Sequence, residues 1–315
     1  MSAVRRLLSQ RGLPQPLCSP IARRQQRQAA TTSTPQAPTL EADGMLSRSI
    51  STVDSAADDM RVGSDYVHAS SLVKNWCPRR HAIFHRYEDS LTTVNSPRSS
   101  DRIMWAIGRA VESHIRHSLI LAYGPEQFFG VWSCLCGRKS FTGLGSSTPP
   151  ICNSCNTLAA RYGELLLVSE RLRVRGSPDM IMLVEDGLRV LEIKSKKLDL
   201  FQALEGPEAD HVNQASIYTT LLPLVVELPV SPNVTIVYGA KDYPRPGVLP
   251  YKDLTRPANV RWAEMQMEEG VRRPLHALLS GDTSAPLPPR IGACGTPNTT
   301  TARNCQACTL CFQLP

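Results

Sequence analysis

The chain has 315 residues, 42% of them hydrophobic and 20% charged, and a formal net charge of +7. This composition allows a packed core and excludes a chain that is disordered throughout. No apolar run approaches the ~20 residues that cross a bilayer, which argues against a membrane-spanning protein. Six arginines and no Lys, Asp or Glu fall in residues 1–40, which leaves 29 basic and 28 acidic residues in the rest. Any basic surface on the folded part must therefore be a local patch.

The first 60 residues predict a disordered arm that is basic and rich in Ser and Pro. They show little apolar periodicity, and their composition is rich in Ser, Thr, Pro, Gln, Ala and Arg. Such a start also resembles an organelle transit peptide. A basic arm that touches a DNA backbone is the third interpretation.

The folded part is predicted to cover residues 61–315 and to mix helices with strands. Ser70 or Ser71 is the expected N-cap of a first helix, and residues 101–122 form an amphipathic helix pattern. Residues 164–194 are rich in β-formers, with "EDG" at 185–187 as a hairpin turn. Further elements are a helix near 205–222, a buried strand over 233–239 and a helix over 256–280.

Two acids and a lysine are predicted to meet at one end of the hairpin strands. Asp179 begins one strand, and Glu192 and Lys194 come near the end of the next. Residues two apart in a strand share a face, so Glu192 and Lys194 point the same way while Ile193 points into the core. Carboxylates bind Mg²⁺ or Mn²⁺, and a lysine beside them can orient or activate water for phosphodiester hydrolysis.

The motif Pro178-Asp179, followed by Glu192-Ile193-Lys194, resembles the core motif of the PD-(D/E)XK nucleases and of their RecB-like branch. The resemblance covers roughly residues 66–312. It implies an α/β fold of the restriction-endonuclease type, with a central mixed β-sheet flanked by helices. It also implies an Mg²⁺ or Mn²⁺ site formed by Glu112, Asp179, Glu192 and Ile193, with Lys194 as a further catalytic residue.

Two more segments extend the resemblance in the order of the family. "NQASIY" places Gln214 and Tyr218 four apart on one helical face, like the Q-x-x-x-Y motif that contacts substrate in RecB-like nucleases. "GRAVESH" is similar to the upstream helical motif, in which a histidine usually offers a metal ligand. Glu112 takes that position here, as in viral recombination exonucleases that resemble lambda exonuclease. His114 is the less favoured substitute.

Five of the cysteines suggest an iron–sulfur cluster. The segment around Cys77-Pro78-Arg79-Arg80 resembles the start of iron–sulfur RecB-like nucleases, including the CRISPR-associated RecB-like exonucleases. Four thiolates suit a [4Fe–4S] cluster, which would join both ends of the fold. The cysteine-rich segment 290–312 departs from the family's spacing, so the predicted ligands are Cys77, Cys294, Cys305 and Cys311, with Cys308 as the alternative. Zinc held by the four C-terminal cysteines is the rival interpretation.

A second cysteine group lies in residues 131–158, predicted to be an insertion resembling a zinc ribbon. The pairs Cys134-x-Cys136 and Cys152-x2-Cys155 have the spacing of a four-cysteine zinc site. The site is interpreted as a structural staple. A DNA-gripping finger, with Arg138 and Lys139 beside it, is the other interpretation.

Taken with these residues, the resemblance implies a metal-dependent DNA exonuclease of recombination, repair or replication. The expected cofactors are Mg²⁺ or Mn²⁺, a [4Fe–4S] cluster and Zn²⁺. The expected partners are DNA that is single-stranded or has free ends, and a recombination or replication protein, with no membrane. A DNA endonuclease and a catalytically silent DNA-binding subunit are the alternatives. The expected location is the cytoplasm of a bacterial or phage-infected cell, or mitochondria if the Arg-rich start is a transit peptide.

Overall fold

The structure is a computed structural model. It describes residues 65–73, 76–87, 99–134, 136, 139–141, 151–152, 154–157, 161–243 and 249–315, all of which belong to a unit spanning residues 45–315. The arm predicted over residues 1–60, and with it the transit-peptide interpretation, lies outside the described residues. Among those residues, no helix combines the length and the apolar character that a bilayer crossing requires.

The described helices are numbered here in chain order. They are α1 (Pro78–Tyr87), α2 (Ser99–Tyr123), α3 (Leu198–Gln202), α4 (Ala209–Leu221), α5 (Val260–Met267), α6 (Arg273–Leu279), α7 (Thr300–Arg303) and α8 (Cys308–Gln313). A π-helical stretch, Glu268–Arg272, joins α5 to α6. Short 3₁₀ turns occupy Ala69–Leu72, Pro125–Gln127, Leu222–Leu224 and Gly292–Cys294.

In the described part of the chain, ten strands form three small sheets. The strands are β1 (Val67–His68), β2 (Val131–Ser133), β3 (Lys139–Phe141), β4 (Arg161–Gly163), β5 (Leu167–Ser169), β6 (Val174–Gly176), β7 (Met180–Val184), β8 (Gly187–Lys196), β9 (Asn233–Ala240) and β10 (Tyr251–Pro257). The central sheet has the order β10-β9-β8-β7, and the others have the orders β1-β6-β5 and β3-β2-β4.

The central sheet is mixed, as predicted. Strand β8 pairs antiparallel with β7 across the turn at 185–186 and parallel with β9, while β9 pairs antiparallel with β10. Strands β8 and β9 are apolar on both faces because helices cover both sides of the sheet. On one side Val111 and Ile115 of α2 pack against Ile193. On the other side Ile217 of α4 belongs to the larger core. The chain is therefore a mixed α/β protein with a mixed sheet flanked by helices.

The unequal lengths of β7 and β8 create an open edge in the central sheet. The last pair between them is Met180 with Leu191, whereas β8 continues to Lys196 and pairs there with β9. Among the described residues, the β7-facing edge of β8 thus has no strand partner from Glu192 onward. Asp179, the residue just before β7, stands at this fork.

Two predicted boundaries were wrong. Neither Ser70 nor Ser71 caps a helix: both lie inside the 3₁₀ turn Ala69–Leu72, and the ring of His68 accepts its cap hydrogen bond from the N–H of Ser70. Helix α1 begins later, at Pro78, since a proline at the first helical position needs no N–H partner. The helix predicted over 256–280 begins at Val260, because the preceding residues form the edge strand β10.

The C-terminal segment packs against α1, which brings the two ends of the folded part together. Ile83 of α1 is buried with Ala307 and Cys311. The guanidinium of Arg79, only 3% exposed, donates to the main-chain oxygens of Pro288 and Leu314 at 3.1 and 2.7 Å. Side-chain hydrogen bonds of this kind replace regular pairing for a segment that has little secondary structure.

Candidate active site at the open edge of the central sheet

Asp179 uses the open edge of β8 directly. Its Oδ2 accepts a hydrogen bond from the N–H of Ile193 at 2.6 Å, so the carboxylate takes the place of the missing strand partner. A strand residue points its N–H and its C=O to the same side. The carbonyl of Ile193 therefore also faces the edge where Asp179 lies, whereas the Ile193 side chain is buried in the core as predicted.

Glu192 and Lys194 share a face, as the strand period predicted. The Nζ atom of Lys194 lies 2.6 Å from Glu192 Oε1, and it also donates to Gln214 Oε1 at 3.3 Å. Gln214 Nε2 donates in turn to the hydroxyl of Tyr218 at 3.0 Å. Gln214 and Tyr218 thus meet on one face of α4, and both are buried. Their described side-chain hydrogen bonds run to Lys194 and to each other. Their contact with a substrate stays a prediction.

The backbone of Gly176 lies close to the ring of Tyr218 and keeps it in this row of hydrogen-bonded side chains. A Cβ atom on Gly176 would lie 2.6 Å from the Tyr218 ring and 2.9 Å from the Cβ of Ala69. Any side chain at position 176 would therefore displace Tyr218. The glycine that precedes Pro178-Asp179 in the sequence is required by packing rather than by backbone conformation.

An acidic group forms where α2 and β4 approach the fork. Carboxylate oxygens of Glu112, Glu164 and Asp179 lie within 4.8 Å of one another. Arg116 bridges two of these acids: it donates to Glu164 at 3.0 Å and to Glu112 one helical turn before it. Glu164 is not among the residues that the sequence pattern predicts for this site. The residue directly follows β4, and no periodic pattern marks it.

The site carries negative charge that the described residues do not fully neutralise. Burial raises the pKa of Asp179 well above its usual range, and the neighbouring Glu192 and Glu112 add to the shift. Burial likewise raises the pKa of Glu112, against the opposing effect of Arg116. It also raises the pKa of Glu192, against the opposing effect of Lys194. Burial disfavours the charged form of Lys194, but Glu192 and Asp179 outweigh it, so its pKa is raised as well.

The residues present suit a hard divalent cation. Glu192 is 2% exposed, and its Oε2 atom is buried without a hydrogen-bond partner among the described residues. An unpaired buried carboxylate oxygen costs free energy unless a cation or donor satisfies it. The carboxylates of Glu112, Glu164, Asp179 and Glu192 and the main-chain carbonyl of Ile193 are oxygen ligands of the kind that Mg²⁺ and Mn²⁺ accept. The described residues could thus hold such an ion.

The cysteines of the insertion come together as predicted. The sulfur atoms of Cys134, Cys136, Cys152 and Cys155 all lie within 4.8 Å of one another, with Sγ–Sγ distances of 3.3 Å for Cys134–Cys155 and 3.6 Å for Cys136–Cys152. A main-chain N–H from Cys136 and the hydroxyl of Thr157 lower the pKa of Cys134 to about 6. Zinc binds thiolates at the corners of a tetrahedron about 3.8 Å on edge. This group therefore fits one metal ion.

The other five described cysteines lie near one another. Burial raises the pKa of Cys294, and the thiols of Cys77, Cys305, Cys311 and Cys308, in that order of effect, add to it. Burial also raises the pKa of Cys77, with Cys305 and Cys311 contributing. Unlike the cysteines of the insertion, no three of these described sulfurs lie within 4.8 Å of one another.

Comparison with known proteins gives only slight likenesses, all among solved structures. No protein-family model matches the chain, and no curated protein matches it. Among solved structures, an alkaline exonuclease (LHK-Exo) from Laribacter hongkongensis is similar, with a TM-score of 0.39 and 13% identity, covering 72% of this chain and 92% of that one. A TM-score of that size does not establish a shared fold. The chemistry of the site therefore rests on this chain's own residues.

Replacing Glu164 tests the composition of the acidic group. We expect Glu164→Gln to weaken Mn²⁺ binding about 10-fold, because a metal site that loses one neighbouring carboxylate typically loses affinity on that scale. Titration calorimetry with Mn²⁺ measures the change without any need for activity. Glu185→Gln is the matched control, since Glu185 is an exposed acid in the turn between β7 and β8. Equal affinities for the two variants would remove Glu164 from the site.

Proposed function

We propose that the chain is a divalent-metal-dependent deoxyribonuclease. The observation that carries this proposal is the convergence of Asp179, Glu192 and Lys194 at the open edge of β8, with a buried carboxylate oxygen left unpartnered. An acidic surface cluster would share neither feature. The residues that would hold Mg²⁺ or Mn²⁺ are Asp179, Glu112, Glu192, the carbonyl of Ile193 and, as an addition to the predicted set, Glu164.

The chain's own residues have separate tasks in phosphodiester hydrolysis. When bound, the ion supplies charge neutralisation at the phosphate and activation of a water molecule. Lys194, whose Nζ lies 2.6 Å from Glu192 Oε1, would orient or activate the attacking water and stabilise developing charge. Gln214 and Tyr218 would hold the Lys194 ammonium in place through the row of hydrogen bonds described above.

Exonuclease action is the favoured form of the proposal, and an endonuclease with the same site is the alternative. The experiment compares end-labelled linear DNA, single- and double-stranded, with covalently closed circular DNA. Protein purified anaerobically is incubated with Mg²⁺ or Mn²⁺. Stepwise loss from one labelled end, with circles intact, is the expected result. Cleavage of circles would favour the endonuclease, and no cleavage by a protein with its full metal content would favour a silent DNA-binding subunit.

The two cysteine groups are proposed to hold different metals. Zinc in the insertion would act as a structural staple. A [4Fe–4S] cluster on Cys77, Cys294, Cys305 and Cys311 would join α1 to the C-terminal segment. Burial raises the pKa of Cys294, and the thiols of Cys77, Cys305 and Cys311 add to it, which places these four side chains near one another.

Metal analysis separates these assignments. We expect Cys152→Ser to lose one equivalent of zinc and keep iron, because a zinc site with three thiolates binds less tightly. Cys77→Ser should lose iron and the visible absorbance of the cluster while keeping zinc, and Cys308→Ser should keep both. If Cys77→Ser retained all its metal while Cys308→Ser lost some, the C-terminal cysteines would form a second zinc site. Plasma mass spectrometry on anaerobic protein gives the counts.

A further inference from the structure

Helix α2 carries an unusually exposed tryptophan close to the candidate site. Trp105 is 43% exposed, although a tryptophan is ordinarily among the more buried side chains. It lies seven positions before Glu112. Seven residues make nearly two helical turns, so Trp105 and Glu112 share one flank of α2, about 10 Å apart along the axis.

Arginines occupy the same flank. Arg102, Trp105, Arg109, Glu112 and Arg116 follow one another at spacings of three and four residues, which is the spacing of a continuous stripe on a helix. Arg102 Nε is buried without a hydrogen-bond partner among the described residues. Arg109 is exposed and lowers the pKa of Glu112, which places its charge near the candidate site. The stripe thus runs from two cations and an indole to the acidic group.

The stripe lies where a strand leaving the site would pass. A Cβ on Gly108, between Trp105 and Glu112 in sequence, would lie 3.2 Å from Ser195 Oγ. Helix α2 therefore crosses the end of β8 directly beside Lys194. A phosphate at the acidic group would have its neighbours within reach of Arg109 and then Arg102.

We propose that Arg102, Trp105 and Arg109 form a track for single-stranded DNA, with Trp105 stacking on an unpaired base. The inference rests on the proposed nuclease function and adds the strandedness of its substrate. Stacking platforms flanked by cations are how proteins hold single strands without reading sequence. A base inside a duplex has both faces covered by its neighbours, so the indole favours an unpaired strand.

The opposite flank of the same helix end supplies a matched control. Ile103 is 57% exposed and lies about 160° around the helix from Trp105. Ile103→Ala removes exposed apolar surface from the same turn without touching the stripe. Trp105→Phe keeps an aromatic ring there, so loss of stacking can be separated from disturbance of the helix.

The test measures binding of fluorescein-labelled dT12 by anisotropy, with Ca²⁺ in place of Mg²⁺ to suppress hydrolysis. We expect Trp105→Ala to weaken binding about 10-fold, since one stacked base contributes roughly 1–3 kcal/mol. Trp105→Phe should recover most of the affinity, and Ile103→Ala should bind as wild type does. Arg102→Gln should lower the slope of log affinity against log salt by about 0.7, the value for one phosphate contact on a single strand.

The track is overturned if Trp105→Ala binds dT12 as tightly as wild type does, or if Ile103→Ala loses as much affinity for dT12 as Trp105→Ala does. This end of α2 would then be a candidate surface for a protein partner. Cleavage in Mg²⁺ is recorded for the same proteins. If wild type cleaves DNA but the variants bind dT12 alike, the track fails and the nuclease proposal stands. If wild type does not cleave, the nuclease proposal fails, and the anisotropy results still decide the track.

Discussion

Asp179→Asn is expected to lower the rate of DNA cleavage about a thousandfold and to leave the fold in place. Loss of a charged ligand removes transition-state stabilisation of several kcal/mol at a metal-assisted site. The amide oxygen of asparagine can still accept the hydrogen bond from Ile193 N–H, which is 2.6 Å long in the structure. The cleavage rate of end-labelled DNA in Mg²⁺ is the measurement.

The same substitution is expected to stabilise the metal-free protein. The pKa of Asp179 is raised by burial and by its acidic neighbours, so the folded state holds this proton more tightly than the unfolded state does. Stability is then lost as the pH rises from the unfolded pKa through the folded one. At neutral pH, a neutral asparagine removes that loss, so we expect the Tm of the metal-free protein to rise by a few degrees. A lower Tm for Asp179→Asn in EDTA would contradict this reading of the site.

Among the proposed substitutions, Arg79→Ala is expected to cause the largest loss of stability. It should lower the free energy of unfolding by roughly 3 kcal/mol. Its guanidinium is buried and donates to main-chain oxygens of Pro288, Cys311, Leu314 and Pro315. Truncation would remove this donor from all four oxygens, of which those of Cys311 and Leu314 would keep only Arg290 among the described residues, and hydrogen bonds from charged groups are the stronger kind. Thermal unfolding by circular dichroism should show a Tm lower by roughly 10 °C.

The neighbouring arginine provides the control for Arg79. Arg80 is exposed and lies over the ring of Phe84, 5.7 Å from its centroid. Arg80→Ala should change stability by no more than about 0.5 kcal/mol, as surface substitutions usually do. Iron and zinc contents of both variants are measured first, so that lost metal is not mistaken for lost hydrogen bonds. If the two variants have the same Tm, the role proposed for Arg79 at the C-terminal segment is wrong.

Local patterns predicted the part of the site that lies on one hairpin. Asp179, Glu192 and Lys194 could be placed because a strand alternates its side chains and the turn at 185–186 sets the register. The pair Gln214 and Tyr218 followed from helical spacing in the same way. The relative positions of these side chains depend on short-range backbone geometry, which the spacing of residues in the sequence predicts.

Residues brought together by tertiary packing were harder to predict. Glu164 reaches the site because β4 pairs with β2, and no periodicity in its own segment indicates this. Strand β10 was missed because it is a largely exposed edge strand that carries polar residues and ends in a proline, as edge strands tolerate. Its place in the sheet comes from its pairing with β9 rather than from its own composition.

The most direct test of the central claim is the cleavage of end-labelled DNA by wild type and Lys194→Met, side by side, in Mg²⁺. Methionine keeps the apolar stem of Lys194 and removes the ammonium that lies 2.6 Å from Glu192. Both proteins should contain equal iron and zinc and bind DNA alike, and the account predicts that only wild type cleaves. Equal cleavage by both would show that the reaction does not use this site.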